Sequence, residues 1–324
     1  MQRLAVMLGD RYGVGPELVA RLVSTLDLPE HVSGVAVGDP AVWAAAGGVV
    51  GAGELPVVET LGDARPGWAF LPRPTPIATS PMGRVSAEAG REVLAILSFL
   101  AEAALSGQID GIVYAPLNKQ AMKAAGHAAG DELEFLNEHL PGKGLTGEIN
   151  ILDRLWTSRV TSHVPLGKVA PLITRQRVDA GIDLLDRSLK RSGVPAPRLA
   201  VAALNPHAGE GGAFGMEEIE VLTPAIAAAN SRGLNIAGPF PSDTVFPRAL
   251  GGLFDGIVTM FHDQGQIALK LIGLGKGITL LAGLPVPVAT AGHGTAYDIA
   301  GTGKARPDGL IAATRLVLQM MSET

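Results

Sequence analysis

Short, wholly apolar runs alternate along this chain with polar turns rich in glycine and proline, the pattern of strands buried on both faces. The first run covers residues 4–8 and is followed by Gly9-Asp10-Arg11-Tyr12-Gly13-Val14-Gly15-Pro16-Glu17. After it Leu18, Val19, Leu22 and Val23 recur at helical spacing. Pro16 suits the first turn of that helix, where its missing N–H would have no partner. Strand, glycine loop and helix N-terminus together make a generic cradle for an anion or a cofactor. Residues 30–75 repeat short apolar runs between Gly and Pro and hold no evident chemistry. Ser86 is an N-cap candidate, and the spacing predicts a helix over 86–106 with Val93, Leu94, Leu97, Leu100 and Ala101 on its apolar face. Strands are predicted over 111–114, 199–203 and 256–261.

Composition narrows the class. The chain has 324 residues, 47% of them apolar, which suffices for a sizeable core and two domains or lobes. Its net charge of −5 comes without blocks of like charge, so a nucleic-acid surface is not expected. No apolar run reaches the ~18–20 residues of a membrane span. The apolar N-terminal stretch is too short for a signal peptide, so a cytoplasmic protein without a membrane partner is expected. Cysteine is absent, and any transition metal must rely on the seven histidines and the carboxylates.

Polar residues gather where apolar runs end, the place where open α/β sheets hold ligands. His262-Asp263-Gln264-Gly265 follows the run 256–261, and Lys119 lies just past 111–114. Partial desolvation there would suit a lysine to proton transfer, although a solvated loop lysine fits the position equally. His163, His207 and His262 each follow a strand-like run and could converge on one cation, since neutral imidazole suits divalent transition metals. Their spacing alone proves nothing. His31 and His139 are read as structural. Between His293 and Gly303, three glycines, two threonines and an acid share one loop, which lets backbone N–H groups approach a ligand closely.

That loop, His293-Gly294-Thr295-Ala296-Tyr297-Asp298-Ile299-Ala300-Gly301-Thr302-Gly303, resembles the adenosine-binding loop of the isocitrate and isopropylmalate dehydrogenase superfamily. His262-Asp263-Gln264-Gly265 with Lys270 is similar to one branch of it, the PdxA family of 4-hydroxythreonine-4-phosphate dehydrogenases. Ala115-Pro116-Leu117-Asn118-Lys119, Thr161-Ser162-His163 and Asn205-Pro206-His207-Ala208-Gly209-Glu210-Gly211-Gly212 extend the resemblance nearly end to end. The resemblance implies two α/β/α lobes around a central cleft. Residues 1–115 with 255–324 would form a discontinuous cofactor-binding lobe, and 116–254 the metal, substrate and dimerisation lobe. It implies NAD or NADP seated by His293, Gly294, Thr295, Ala296 and Asp298. His163, His207 and His262 would hold a divalent metal, zinc first among the candidates. Lys119, with Asp243 or Asp263, would move protons. A homodimer is implied in which each site borrows a metal-liganding histidine from the second copy.

The sequence departs from this family at the substrate. Where the family reads P-G-H-T-E, its His-Thr pair holding a phosphate, this chain reads Gly130-Asp131-Glu132-Leu133-Glu134. Thr279 replaces an asparagine, Val288 replaces an arginine, and Lys270 is kept. A carboxylate beside a phosphate dianion is repulsive, and a lost arginine removes a bidentate anion fork. Arg11, in place of a proline, is either a relocated anion grip or an exposed loop arginine. The expectation is a metal-dependent NAD(P) dehydrogenase that oxidises a secondary alcohol near a carboxylate, with decarboxylation where a β-keto acid forms, on a changed and unphosphorylated small-molecule substrate. A cis-dihydrodiol carboxylate and a four-carbon sugar acid or its phosphate are the alternatives within the class. A non-redox metal-dependent hydrolase or lyase, or a catalytically silent binding protein, would keep the same fold.

Overall fold

The computed structural model describes residues 1–75, 82–127, 131–142, 144–273 and 276–322. Gly130 of the altered substrate motif lies outside them. The chain divides into two compact units, Met1–Lys143 with Leu284–Ser322, and Gly144–Gly283.

In the first unit the elements are β1 (Gln2–Met7), α1 (Gly15–Thr25), β2 (Val32–Gly38), α2 (Pro40–Val50), β3 (Gly67–Pro72), α3 (Ala87–Leu105), β4 (Gly111–Tyr114), α4 (Lys119–Ala124) and α5 (Glu132–His139). Leu4, Ala5, Val6 and Met7 are wholly buried, as an unbroken apolar run demands in a parallel sheet covered on both faces. Short polar side chains start the helices by accepting an otherwise orphaned amide hydrogen. Asp39 does so for α2, Ser86 for α3, Asn118 for α4 and Asp131 for α5. The helix predicted over 86–106 is α3, although Ile96 joins Val93, Leu97 and Leu100 in the buried stripe and Leu94 is only half-buried.

The second unit runs β5 (Gly147–Leu152), β6 (Leu155–Arg159), α6 (Val169–Leu172), α7 (Arg175–Arg191), β7 (Arg198–Ala202), α8 (Thr223–Ser231), β8 (Asn235–Phe240), α9 (Ser242–Leu250), β9 (Gly256–Thr259), α10 (His262–Gly273) and β10 (Ile278–Ala282). The chain then returns to the first unit with β11 (Val288–Ala291) and α11 (Asp308–Ser322).

Strands of the first unit lie in the order β3-β2-β1-β4-β11, all parallel. Those of the second lie in the order β10-β5-β6-β9-β7-β8, with β10, β5 and β6 antiparallel and β6 onward parallel. The adjacent parallel strands β6, β9 and β7 point their C-terminal ends the same way, and His163, His262 and His207 follow those ends. Leu152, Leu155, Val245, Phe246, Ile257 and Leu269 form a core cluster beneath them.

Both crossings between units lie further along the chain than the sequence places them, at 143 and 284 rather than near 115 and 255. Packing explains the shift. α4 and α5 lie on α3 of the first unit, and Gly90 of α3 backs directly onto the Ala121 carbonyl, where any side chain would collide. At the second crossing β9 is clasped between β6 and β7, and β10 pairs with β5, which holds 256–282 in the second unit.

Arg11 is neither an anion grip nor an exposed loop residue. It is 8% exposed, and its Nε donates to Glu92 Oε2 at 2.6 Å. Its Nη2 donates to Thr75 Oγ1 at 2.9 Å and lies 3.3 Å from Asp39 Oδ2. Glu92 and Asp39 are each 6% exposed, so the cluster ties the glycine loop to α3 and to the start of α2 away from water. Removing one partner of such a group strands the other charges in a low dielectric. Arg11→Met is expected to cost about 3–5 kcal/mol in urea-induced unfolding. A cost of about 1 kcal/mol or less, the range of exposed pairs, would show the cluster to be solvated.

Candidate active site

In the second unit the loops after β6 and β9 are joined before they deliver their histidines. Thr161 donates to the Met260 carbonyl through its amide at 3.1 Å and through its hydroxyl at 2.8 Å. His163 then takes a left-handed backbone with φ 47°, and its ring lies 5.9 Å from that of His262 between centroids. His262 Nδ1 is 2.7 Å from Asp263 Oδ1. Donation to that carboxylate leaves Nε2 as the lone-pair nitrogen, the usual arrangement behind a metal-binding imidazole. The two histidines and Asp263 border a cavity of about 240 Å³ whose apolar walls include Leu166, Val169 and Phe261. Gln264 braces the start of α10. It accepts from the Met260 amide at 2.8 Å and donates to the Ala203 carbonyl at 2.8 Å.

His207 stands apart. Its side chain is 70% exposed and 3.5 Å from Glu210, and among the described residues no three metal-liganding side chains meet within one chain. The structure therefore brings together two of the three expected ligands. Two imidazoles with a carboxylate behind one of them fit a divalent transition metal in kind, as part of a donor set.

The other sequence candidates of this unit are dispersed. Asp243 is exposed in the first turn of α9, and Lys270 is exposed in the last turn of α10. Thr279 Oγ1 accepts from Asn150 Nδ2 at 3.0 Å. Asn150 Oδ1 in turn accepts from Gln266 at 2.6 Å and from Arg159 at 2.7 Å. The Arg159 guanidinium also pairs with Glu148 and reaches Ser162 Oγ at 2.5 Å, so a continuous polar network links Thr279 to the residue before His163. Nothing in the sequence pattern signalled it, because its members lie on three strands, a helix and the loop after β6.

In the first unit three segments are fastened together. Gly9, with φ +80°, sits where a Cβ would stand 2.7 Å from the Ala115 carbonyl oxygen. The Asp10 amide donates to the Pro116 carbonyl at 3.1 Å, and that of Val14 to the Thr295 carbonyl at 2.9 Å. Glu17, 2% exposed, accepts the amide hydrogens of Gly301 and Gly303. The Tyr297 hydroxyl donates to Asp10 Oδ2 at 2.7 Å, while Asp10 Oδ1 accepts from the Tyr12 amide at 2.9 Å. His293 and Ala296 are half-buried in this loop, and Gly294 and Asp298 face solvent. Thr295 is 7% exposed and packs against Gly13, so its side chain seats the loop rather than facing a ligand. Glu17 and the Asp10–Tyr297 pair were missed by sequence reasoning. An acid just after Pro16 was a signal, but first-turn acids commonly do no more than complement their own helix.

Two expectations for this unit change. The Lys119 side chain is half exposed and lies 3.6 Å from Glu132 Oε2, because it starts α4 behind the Asn118 cap and points outward. It lacks the burial on which its acid–base reading relied. Val288 is fully buried in β11, in register with Ile112 of β4, so its side chain belongs to the core and not to a ligand surface. Leu133 is half-buried beside Glu132 at the start of α5.

The chain is similar along nearly its whole length to known proteins. The family model of the pyridoxal phosphate biosynthetic protein PdxA matches residues 33–317. A Pseudomonas aeruginosa protein bearing the provisional name 4-hydroxythreonine-4-phosphate dehydrogenase 2 is 42% identical, over 99% of this chain and 96% of its own. The D-threonate 4-phosphate dehydrogenase of Pectobacterium atrosepticum is 37% identical over 98% of each chain. The crystal structure of 4-hydroxythreonine-4-phosphate dehydrogenase from Klebsiella pneumoniae superposes with a TM-score of 0.85 at 33% identity, covering 99% of this chain and 98% of that one.

Burial raises the Asp10 carboxyl above its ordinary value of 3.8, and the hydrogen bonds from Tyr297 and Tyr12 offset this only in part. Burial and the Asp10 carboxylate likewise push the Tyr297 hydroxyl up, which keeps it a donor. As pH rises through 3.8 the unfolded chain releases the Asp10 proton while the folded protein still holds it. Stability contributed by this group is therefore full below that value and falls as pH climbs to the raised one. Asp10→Asn keeps an acceptor for one donor and cannot titrate. Urea unfolding measured from pH 4 to 7 should show a less negative slope of stability against pH in Asp10→Asn than in wild type, and identical slopes would refute the assignment.

Proposed function

The chain belongs to the PdxA family, whose named relatives are dehydrogenases, and from that premise we propose a cytoplasmic homodimer that oxidises a secondary alcohol beside a carboxylate using NAD(P) and a divalent metal, zinc first among the candidates. The single observation that carries this reading is the convergence of His163 and His262, with Asp263 behind the second, on a partly apolar cavity. His163 and His262 hold the cation, and His207, exposed on its own turn, completes the set from the second copy. When bound, the metal would lower the charge cost of ionising the alcohol, and NAD(P) would supply the hydride acceptor. Glu17 and Asp10 hold the 293–303 loop in shape so that its exposed residues, Gly294 and Asp298 among them, meet the adenosine. The alcohol proton would pass to a carboxylate, Asp243 or Asp263, or to Lys119 Nζ once the ammonium has parted from Glu132 and given up its own proton. Where oxidation yields a β-keto acid, the same residues serve its decarboxylation.

On substrate class, the reading is an unphosphorylated hydroxy acid. The support is local: Glu132 brings a carboxylate to the substrate segment and engages its nearest lysine, Leu133 offers no donor, and Arg11 is committed to Glu92 and Asp39. A second reading takes a phosphorylated hydroxy acid, favoured by the names of the relatives in Pectobacterium and Pseudomonas. D-threonate and D-threonate 4-phosphate separate the two when NADH formation is followed with each divalent metal. Efficiency on the phosphate is expected to be at least ~100-fold lower, since each 1.4 kcal/mol of unpaired charge costs about tenfold. Efficient turnover of the 4-phosphate by the unaltered protein would establish the second reading. No NADH from either compound, or from other β-hydroxy acids and cis-diols, would count against the whole assignment.

A further inference from the structure

The turn that carries His207 has a backbone that ordinary loops avoid. His207 (φ 52°), Ala208 (53°), Gly209 (80°), Glu210 (43°) and Gly211 (63°) are all left-handed in succession. Three of them carry side chains, for which this region is disfavoured. Such strain persists only where the surroundings over-determine it, and it gathers at functional sites.

What over-determines it here is Glu218. This residue is 2% exposed and opens a single π-helical turn, Glu218–Leu222. Its Oε1 accepts the amide hydrogens of Leu204 at 2.9 Å and Asn205 at 2.8 Å, and its Oε2 accepts from Asn205 Nδ2 at 2.9 Å. A Cβ on Gly209 would stand 2.7 Å from that same Oε2, so the carboxylate lies directly against the left-handed turn. The chain leaving β7 is therefore hydrogen-bonded ahead of the Pro206-His207 bend by one buried carboxylate, which also lies against the chain beyond the bend at Gly209. Charge-assisted bonds of this kind are roughly twice as strong as neutral ones and fix direction as well as distance.

We propose that Glu218 is a positioning residue for His207: it touches no cation, and it sets the direction in which the imidazole leaves the chain. The role rests on the reading of His207 as a metal ligand. Glutamine at 218 can keep one oxygen for the Leu204 and Asn205 amides but turns an NH₂ group toward Asn205 Nδ2, a donor that needs an acceptor, so the grip on the turn loosens while the imidazole itself is unchanged.

Metal-free wild type, Glu218→Gln and His207→Ala are titrated with zinc by calorimetry, and amide hydrogen exchange is followed over 204–212. Glu218→Gln is expected to unfold cooperatively and to exchange faster within that segment. It should bind zinc about 10–100-fold more weakly, the effect typical of residues that orient a ligand. Turnover should return at saturating zinc, a recovery that a general loss of structure would not allow. Wild-type zinc affinity in Glu218→Gln, with His207→Ala defective, overturns the positioning role alone. Wild-type affinity in His207→Ala overturns the metal reading and this inference with it. Should Glu218→Gln fail to fold, Gly209→Ala places a methyl against the carboxylate and must show the same loss of zinc affinity; undiminished affinity there refutes the proposal.

Discussion

Loops at the ends of parallel strands leave backbone N–H groups without a ladder to join, and each must find an acceptor if the loop is to hold one shape. In this chain buried carboxylates supply that acceptor again and again. Glu17 takes the amides of Gly301 and Gly303, Asp10 takes that of Tyr12, and Asp39 takes those of Ala41, Val42 and Thr75. Glu218 takes those of Leu204 and Asn205. A buried carboxylate is expensive unless several donors converge on it, so the acid and the loop are mutually dependent. This dependence lets glycine-rich segments, which are weakly determined by themselves, present fixed shapes to a ligand.

The same device divides the chemistry between the two units. The first unit spends its buried acids on the glycine loop after β1 and on the 293–303 loop, the segments read as a cofactor seat. In the second unit buried Glu218 takes the amides that lead to His207 after β7, whereas Asp263, exposed, pairs with His262 itself after β9. Arg11 shows how a changed residue can serve the frame instead of the ligand. It stands in a loop where a cation invites the thought of anion binding, yet its guanidinium is neutralised by Glu92 and Asp39. Membership of the PdxA family states the reaction class of this protein, that of a dehydrogenase.

Much of the fold was legible in the residues alone. The apolar run at 4–8 belongs to β1, the Ser86-capped periodicity is α3, and the runs at 111–114, 199–203 and 256–261 are β4, β7 and β9. These signals are local: a strand buried on both faces must be apolar throughout, and a helix must repeat its apolar face about every 3.6 residues. The motifs around His163, His207, His262 and His293 were legible as signatures of the family for a related reason, since each is a contiguous stretch of characteristic residue types. What only the tertiary structure decided was who meets whom. Arg11 and Glu92 are 81 positions apart, and Gly303 and Glu17 are 286 apart, so no pattern in either segment announces its partner. Burial decided the rest, turning Val288 into core, exposing half of Lys119, and leaving His207 away from the other two histidines within one chain. A sequence records which groups are charged or polar; their partners and their distance from water are set by the packing of remote segments, and it is this packing that fixes what a buried charge costs and what it holds.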